Sequence, residues 1–461
     1  MMMKKLLSSF LVLSMIFVLA ACSGGDKSVS GLKKDDKPDK GMKVIGDHVK
    51  FDPNKLVNDG KPISIELWTW FGKEVFQKQA DEYQKIYPNV KIKVVNQPWE
   101  DYWKKLPLQL KGKDGPAMFN VHNSYHSNII NFMAPYDIPV DALNQDYIGV
   151  QPHVIDNKVY YFDYGINTGM FYYNKDMWKE AGLTDADIPT TWDQFRQVAK
   201  KLTKRDADGK LVQAGFNLNG DGYKAMIAGL GYQKGELLFK EDGKTVNFDN
   251  PTTVENTQML LDLYNKDKVG SPDFGDDSTK SFGNGQTAMV YKWGWMQGEL
   301  KNNYPKIQWG VFRTPTPTND VPFAYDRYNG ESTPGINKNA AKEQQAVAQD
   351  FLKFMLAGND FVKDFSFATG TFPAKKSLAN DPDVLANPTN KIIAPNIERY
   401  IWPGAFPSAI ETVSDKVFQD IFYNKVNIKD AIKSGQEQME KDMSNSDFTS
   451  VESKYKFFSE R

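Results

Sequence analysis

The chain has 461 residues, 57 of them basic and 58 acidic, with 40% hydrophobic, 25% charged and 13% aromatic residues. That is the composition of a folded globular protein, and the balance of charge leaves no global positive field of the kind a nucleic-acid partner requires. Because Cys22 is the single cysteine, no disulfide forms within the chain.

The N-terminus reads as an export signal. Lys4 and Lys5 precede an apolar run over residues 6–19, and Ala20, Ala21 and Cys22 follow. The run is shorter than the roughly 20 residues a spanning helix needs, and its basic flank and small residues fit a processed segment. Leu19-Ala20-Ala21-Cys22 resembles a bacterial lipobox, which implies a signal peptide over 1–21, cleavage before Cys22 and lipidation of its thiol. Residues 22–59 are expected to be the lipidated cysteine and a polar tether, marked by Gly24-Gly25 and the lysines from Lys33 onward, too poor in apolar periodicity to offset the entropy of ordering. What remains is too long for one hydrophobic core, so two domains are expected.

Ile63, Ile65 and Leu67 alternate with polar residues as a half-buried strand does; Phe76, Ala80, Tyr83 and Tyr87 repeat at helical spacing; Val90, Ile92 and Val94 alternate again. This predicts a β-α-β unit with parallel strands, and Trp68, Trp70 and Phe71 at the carboxyl end of the first. Thr191 and Gln194 have capping-box spacing, and Trp192, Phe195, Ala199 and Leu202 make one apolar face, predicting a helix there with Trp192 in the core. Further helices are predicted around Val254, Leu261 and Tyr264, around Val347, Phe351, Phe354 and Met355, and around Ile432, Met439 and Met443. No internal repeat is visible.

Several motifs fall short of a chemistry. The glycine pattern over residues 283–288 leads into a strand-like run instead of the helix that dinucleotide binding needs. Asn217, Asn219 and Asp221 imitate half a calcium loop, but Ala228 stands where its bidentate glutamate belongs. His122 and His126 lack the glutamate of the zinc motif, since Asn123 follows His122. No nucleophile elbow or phosphate loop occurs.

One group of motifs does carry a resemblance. Tyr164-Gly165-Ile166-Asn167-Thr168-Gly169 ends the aromatic stretch 160–169; Tyr172-Tyr173-Asn174-Lys175-Asp176, Pro189-Thr190-Thr191-Trp192, residues 282–289 with Trp293 and Trp295, Gly335-Ile336-Asn337 and Gly370-Thr371-Phe372-Pro373 follow in order. In this order they resemble the family 1 extracellular solute-binding proteins of ABC importers, the group that includes the maltose-binding protein. The resemblance implies an α/β fold of two lobes of the periplasmic-binding-protein type II, joined by hinge crossings with the ligand cleft between them. It places lobe one at about 60–165 plus 329–358 and lobe two at about 166–328 plus 359–461. It further implies a carbohydrate, an oligosaccharide above all, delivered to the membrane permease by a lipid-anchored monomer on the outer face of the cell membrane, the Lys-rich tether favouring a Gram-positive cell. Catalysis, cofactor and metal form no part of that picture.

A sugar offers apolar C–H faces and a fringe of hydroxyls, so its site needs aromatic platforms and amide or carboxylate partners. By the resemblance, Trp295 is the expected stacking residue with Trp293 as the alternate, and Asn167 is a polar contact near the first crossing. Trp70 and the loop carrying His122, Asn123 and Tyr125 match ligand-facing segments of lobe one, although Ala117 replaces the aspartate usual after that proline. Tyr164, Tyr223 and Glu331 are candidates by position and Trp402 by its chemistry. Lys292, Arg327 and Arg399 would recognise a uronic acid if they faced the cleft. Two alternatives remain open: a non-sugar solute, and a secreted glycoside hydrolase, whose paired carboxylates have no fixed spacing in sequence.

Overall fold

A computed structural model describes residues 41–405 and 407–455. The signal peptide, Cys22 and the first part of the expected tether lie outside the described residues.

The predicted β-α-β unit forms β1 (Ile63–Thr69), α1 (Lys73–Ile86) and β2 (Val90–Asn96). The two strands are parallel and in register from Ile63↔Val90 to Thr69↔Asn96, so Ile65, Leu67, Ile92 and Val94 all turn to one buried face against Phe76, Ala80 and Tyr83 of the helix. The helix α2 (Trp99–Gln109) leads to β3 (Met118–Phe119), and β4 (Met133–Ala134) closes one edge. This sheet has the order β2-β1-β3, then a late strand, then β4.

The chain then enters β5 (Asp163–Asn174), a twelve-residue strand that serves both halves of the molecule. Past the short hairpin of β6 (Lys204–Arg205) and β7 (Leu211–Gln213) come β8 (Met289–Trp293) and β9 (Trp309–Arg313), which pair with the second half of β5, from Gly169↔Trp293 and Met170↔Arg313 onward. Its first half pairs with β10 (Asp326–Ser332), which runs antiparallel back toward lobe one. From there β11 (Gly335–Asn337) fills the place between β3 and β4. The chain returns once more through β12 (Phe372–Pro373), paired to β5, and β13 (Tyr400–Ile401), paired to β10. Three passes thus join the lobes: along β5, along β10 and beside β12.

Each lobe has its own core. The first gathers Leu67, Tyr83, Val347 and Phe351, the second Phe171, Phe195, Leu260 and Met439. The helix Trp192–Lys201 starts on the capping box read from its sequence, with Gln194 N donating to Thr191 Oγ1 at 3.4 Å and Thr191 N donating to Gln194 Oε1 at 3.2 Å. Trp192 is buried against Phe171.

Two expected boundaries move. Residues 45–57, read as tether, are folded onto lobe one: Val49 and Phe51 are each 1% exposed, and the Phe51 ring lies 4.9 Å from Phe354 and 6.1 Å from Tyr83. Asp146 anchors this strap, accepting from Val49 N at 2.8 Å and contacting His48 Nδ1 at 2.7 Å. Its apolar residues follow no helical or strand period, so the pattern reading passed over them. The helix Asp360–Thr369, assigned to lobe two, packs on α1 of lobe one, with Phe361 5.4 Å from Phe76 and Lys78 paired to Asp364 at 2.6 Å.

If the strap is part of the fold, Phe51→Ala will lower the unfolding free energy by about 3 kcal/mol, as truncation of a buried aromatic does. Urea unfolding of wild type and variant measures this; equal midpoints would return the segment to the tether.

Candidate ligand-binding cleft

Between the lobes lies a cavity of about 300 Å³. Its floor is the pair β5 and β10, where Asn167 stands opposite Asn329. Residues two apart on a strand share a face, and so Arg327, Asn329 and Glu331 of β10 all line the cavity. From lobe one, His122, Asn123 and Ser124 reach it, from lobe two Asp221, Lys224, Trp293, Trp295 and Glu411 do, and Trp402, packed in the core of lobe one, completes the lining.

Asn167 is fixed from behind: its Oδ1 accepts from Gly294 N at 2.7 Å. Gly294 tolerates no side chain there, since a Cβ would stand 2.7 Å from the Gly370 carbonyl and 2.9 Å from Asn167 Oδ1. The tight turn at this glycine places the two flanking tryptophans differently. Trp293 is 8% exposed with the Arg327 guanidinium 5.0 Å from its ring, whereas Trp295 is 42% exposed beside the cavity, with Lys292 Nζ 5.8 Å from its ring. Trp402 is 4% exposed, its ring stacked on His153 at 3.9 Å.

On the lobe-one wall, Asn123 donates from Nδ2 to Asn329 Oδ1 at 3.0 Å, while its own Oδ1 is buried without a partner. Burial holds the His122 imidazole below its usual range, against the opposing pull of Asp163 and Glu411. Its Nδ1 accepts from Ser124 N at 3.2 Å. Trp70 and Tyr125 stand behind this wall and do not line the cavity. Trp70 lies 6.1 Å from the His122 ring, Trp99 lies 5.1 Å from it, and Tyr125 stacks on Trp103 at 3.9 Å. They form an aromatic buttress in which Trp99, not anticipated, is a central member.

Two expected candidates lie in the cores instead. Tyr164 is fully buried with its ring 4.4 Å from Phe365 and 5.7 Å from Phe361, and Tyr223 shares a hydrogen bond of 2.9 Å with Thr257 while packing on Phe418. Both sit beside the right segments, but their side chains leave on the far face. Conversely Asp221, Lys224, Asn329 and Glu411 went unanticipated as cleft residues. Only Asn329 had a readable signal, the alternation Arg327, Asn329, Glu331.

The cations of the cleft are matched to carboxylates. Lys292 pairs with Asp221, Lys224 with Asp415 at 2.7 Å, and Arg327 with Glu411 at 3.0 Å. Arg399 is elsewhere, reaching the carbonyls of Pro322 and Phe323 and lining a separate cavity with Tyr147 and Tyr400. The conditional uronic-acid site therefore does not assemble. Glu331 is the exception to the pairing. It makes no side-chain hydrogen bond among the described residues, and burial, reinforced by the nearby Asp163 charge, raises its carboxyl to about 7.

That shift has a sign. A carboxyl at about 7 in the fold and near 4.5 when unfolded is held better protonated, so its contribution to stability is complete below pH 4.5 and is lost as the pH rises to 7. Ligand-free Glu331→Gln should accordingly melt higher than wild type at pH 8 and with little difference at pH 4.5; thermal melts at the two pH values read this, and an equal gain at both would deny the ionisation any part in it.

The family model for bacterial extracellular solute-binding proteins matches residues 78–392, more than half of the chain. Among similar curated proteins, the arabinooligosaccharide-binding protein of Halalkalibacterium halodurans is 22% identical over 428 residues, covering 85% of this chain and 93% of its own. The diacetylchitobiose binding protein DasA of Streptomyces coelicolor is 23% identical over 399 residues, covering 82% and 84%. Among solved structures, the cyclic α-maltosyl-1,6-maltose binding protein of Arthrobacter globiformis superposes with a TM-score of 0.68 at 21% identity, covering 84% of this chain and all of that one. A cyclo/maltodextrin-binding protein complexed with maltotetraose gives 0.69 at 18%, covering 84% and 99%. The two-lobe fold is thus that of the type II periplasmic binding proteins, and the chain belongs to the bacterial extracellular solute-binding proteins, a family of binding proteins and not of enzymes.

Proposed function

We propose that this chain captures a carbohydrate, an oligosaccharide in particular, in the interlobe cleft outside the cell and passes it to the permease of an ABC importer. The observation that carries this reading is the exposed indole of Trp295 beside a floor of hydrogen-bonding side chains: a flat apolar face next to a polar fringe is the complement of a pyranose or furanose ring. The similar proteins named for arabinooligosaccharide and diacetylchitobiose point the same way. In this reading Trp295 stacks on a ring, Trp293 and Trp402 supply further apolar contact, and Asn167, Asn123, His122 and Glu331 bond the hydroxyls.

The ion pairs weigh against the alternatives. An anionic solute, such as the glycerol phosphate in the name of a relative from Escherichia coli, would need cationic charge that Lys292, Lys224 and Arg327 here direct to carboxylates. A glycoside hydrolase needs an acid and a second carboxylate working as a pair. Asp221, Asp415 and Glu411 are each engaged by a cation, and Asp163, the carboxylate beside Glu331, is buried behind the floor against His153 and Ser332 and does not line the cavity.

Binding would close the lobes about the three passes at β5, β10 and β12, the closed form being favoured only by the contacts it adds. The cleft is built from one chain, so a monomer suffices. Among the described residues no helix is long and apolar enough to cross a membrane. We take attachment to be a lipid on Cys22, at the outer face of the cell membrane, on the strength of the lipobox alone.

Calorimetry of the mature protein against oligosaccharides of different sugars and lengths, followed by recovery of the ligand, tests the reading. A sugar that binds and returns intact is the expected result, and one that returns cleaved would make the protein a hydrolase. With the sugar in hand, Trp295→Ala should weaken binding by about tenfold or more, the loss expected for roughly 1.4 kcal/mol of stacking; unchanged affinity would remove Trp295 from the site.

A further inference from the structure

Given a sugar in the cleft, the charges around it narrow its class. Each cation of the wall is drawn to its own carboxylate: Lys292 to Asp221, Lys224 to Asp415, Arg327 to Glu411 and to the face of Trp293. Glu331 remains over. It lines the cavity, accepts no hydrogen bond from the described residues, and has for neighbours a second carboxylate, Asp163, and the phenol of Tyr164. Across the floor a second acceptor is unfilled: Asn123 is 5% exposed, lines the same cavity, and its Oδ1 has no partner. The two are linked through Asn329, which receives the Asn123 amide and stands two residues from Glu331 on the same strand face, about 7 Å along β10.

Glu331 is half-buried, and once a ligand shuts water out of the cleft its carboxylate without a counter-charge becomes costly, as is the buried Asn123 acceptor without a donor. Both demands are met by one kind of group. An ammonium brings a positive charge and three N–H donors with no acceptor. A neutral hydroxyl, or the N–H of an N-acetyl group, supplies one donor and leaves the charge of Glu331 uncompensated. We infer that the cargo is a sugar bearing a protonated amine, an amino sugar with its nitrogen unacetylated, and that this amine seats on Glu331 and Asn123; the inference rests on the cleft being a sugar site.

The groups that face Glu331 set the pH behaviour. Asp163 and Tyr164 come from β5, His122 from the lobe-one loop and Arg327 from its own strand; burial pushes the His122 imidazole below its ordinary value, and Arg327 is turned to Glu411. The carboxyl, lying at about 7 when the cleft is empty, must lose its proton to meet the amine. Affinity for an amine-bearing sugar should therefore fall as the pH is lowered from 7 to 5, because the carboxyl takes up its proton over that range by far more than the sugar amine, itself titrating near neutrality, gains in charge.

The test is calorimetry of the mature protein with glucosamine oligomers, their N-acetylated counterparts and neutral gluco-, malto- and arabino-oligosaccharides of equal length, at pH 7 and pH 5. The expected result is that an amine-bearing oligomer binds about tenfold or more tightly than its acetylated and hydroxyl counterparts at pH 7, with the preference shrinking several-fold at pH 5. Glu331→Gln, checked for folding by its melting curve, should bring the ratio of amine to acetylated affinity to within about twofold. Neutral sugars that bind as tightly as the amine-bearing ones, or a preference indifferent to pH, would overturn the inference while leaving the sugar reading in place. Absence of binding by every sugar would overturn both.

Discussion

A single strand that belongs to two sheets is the constraint from which the rest of this molecule follows. Over twelve residues β5 exchanges one set of partners for another: β10 and β12 on its first half, β8 and β9 on its second. Backbone hydrogen bonds cannot be left unpaired in a buried strand, so the two halves of the protein must meet along it. The meeting leaves a cleft whose floor is sheet, and the alternation of the sheet decides what the floor displays. Asn167, Asn329 and Glu331 face the cleft because of where they fall in a period of two, with no local motif of their own.

That arrangement places charge where water is scarce, and the wall answers by pairing. Lys292 and Asp221 join β8 to the start of the helix Gly222–Gln233, while Arg327 and Glu411 join β10 to the helix Ala409–Phe418. Each pair removes a charge that would otherwise select an ion of the opposite sign, and each ties an element of lobe two to the cleft edge. The outcome is a wall rich in formal charges with little net field, the condition under which a neutral or singly charged polar ligand is distinguished by hydrogen-bond direction and not by attraction at a distance.

Local features were legible in the sequence; tertiary ones were legible only where a period exposed them. The β-α-β unit, its buried residues and the capping box at Thr191 follow from neighbours in the chain, and the structure has them in register. Candidate residues fared according to the kind of reasoning behind them. Trp295, Trp293, Asn167, Asn123, His122, Glu331 and Trp402 line the cavity, while Tyr164 and Tyr223 turn into the cores, because proximity to a ligand-facing segment does not say which face of the backbone a ring leaves from. Asp221 and Glu411 carry no signal, since what makes them cleft residues is a cation contributed by a distant strand. The strap at 45–57 was missed for the related reason that Val49 and Phe51 are buried by a surface the rest of lobe one provides.

The strap has a mechanical consequence. It fastens the chain's leading end to lobe one, through Phe51 in the pocket of Tyr83, Tyr87 and Phe354 and through Asp146, before the first strand begins. Whatever holds the N-terminus therefore holds lobe one, as a vice holds its fixed jaw. Under the proposed closure lobe two, carrying Trp293 and Trp295, would be the moving jaw, while Trp402, stacked on His153, would stay with the fixed one.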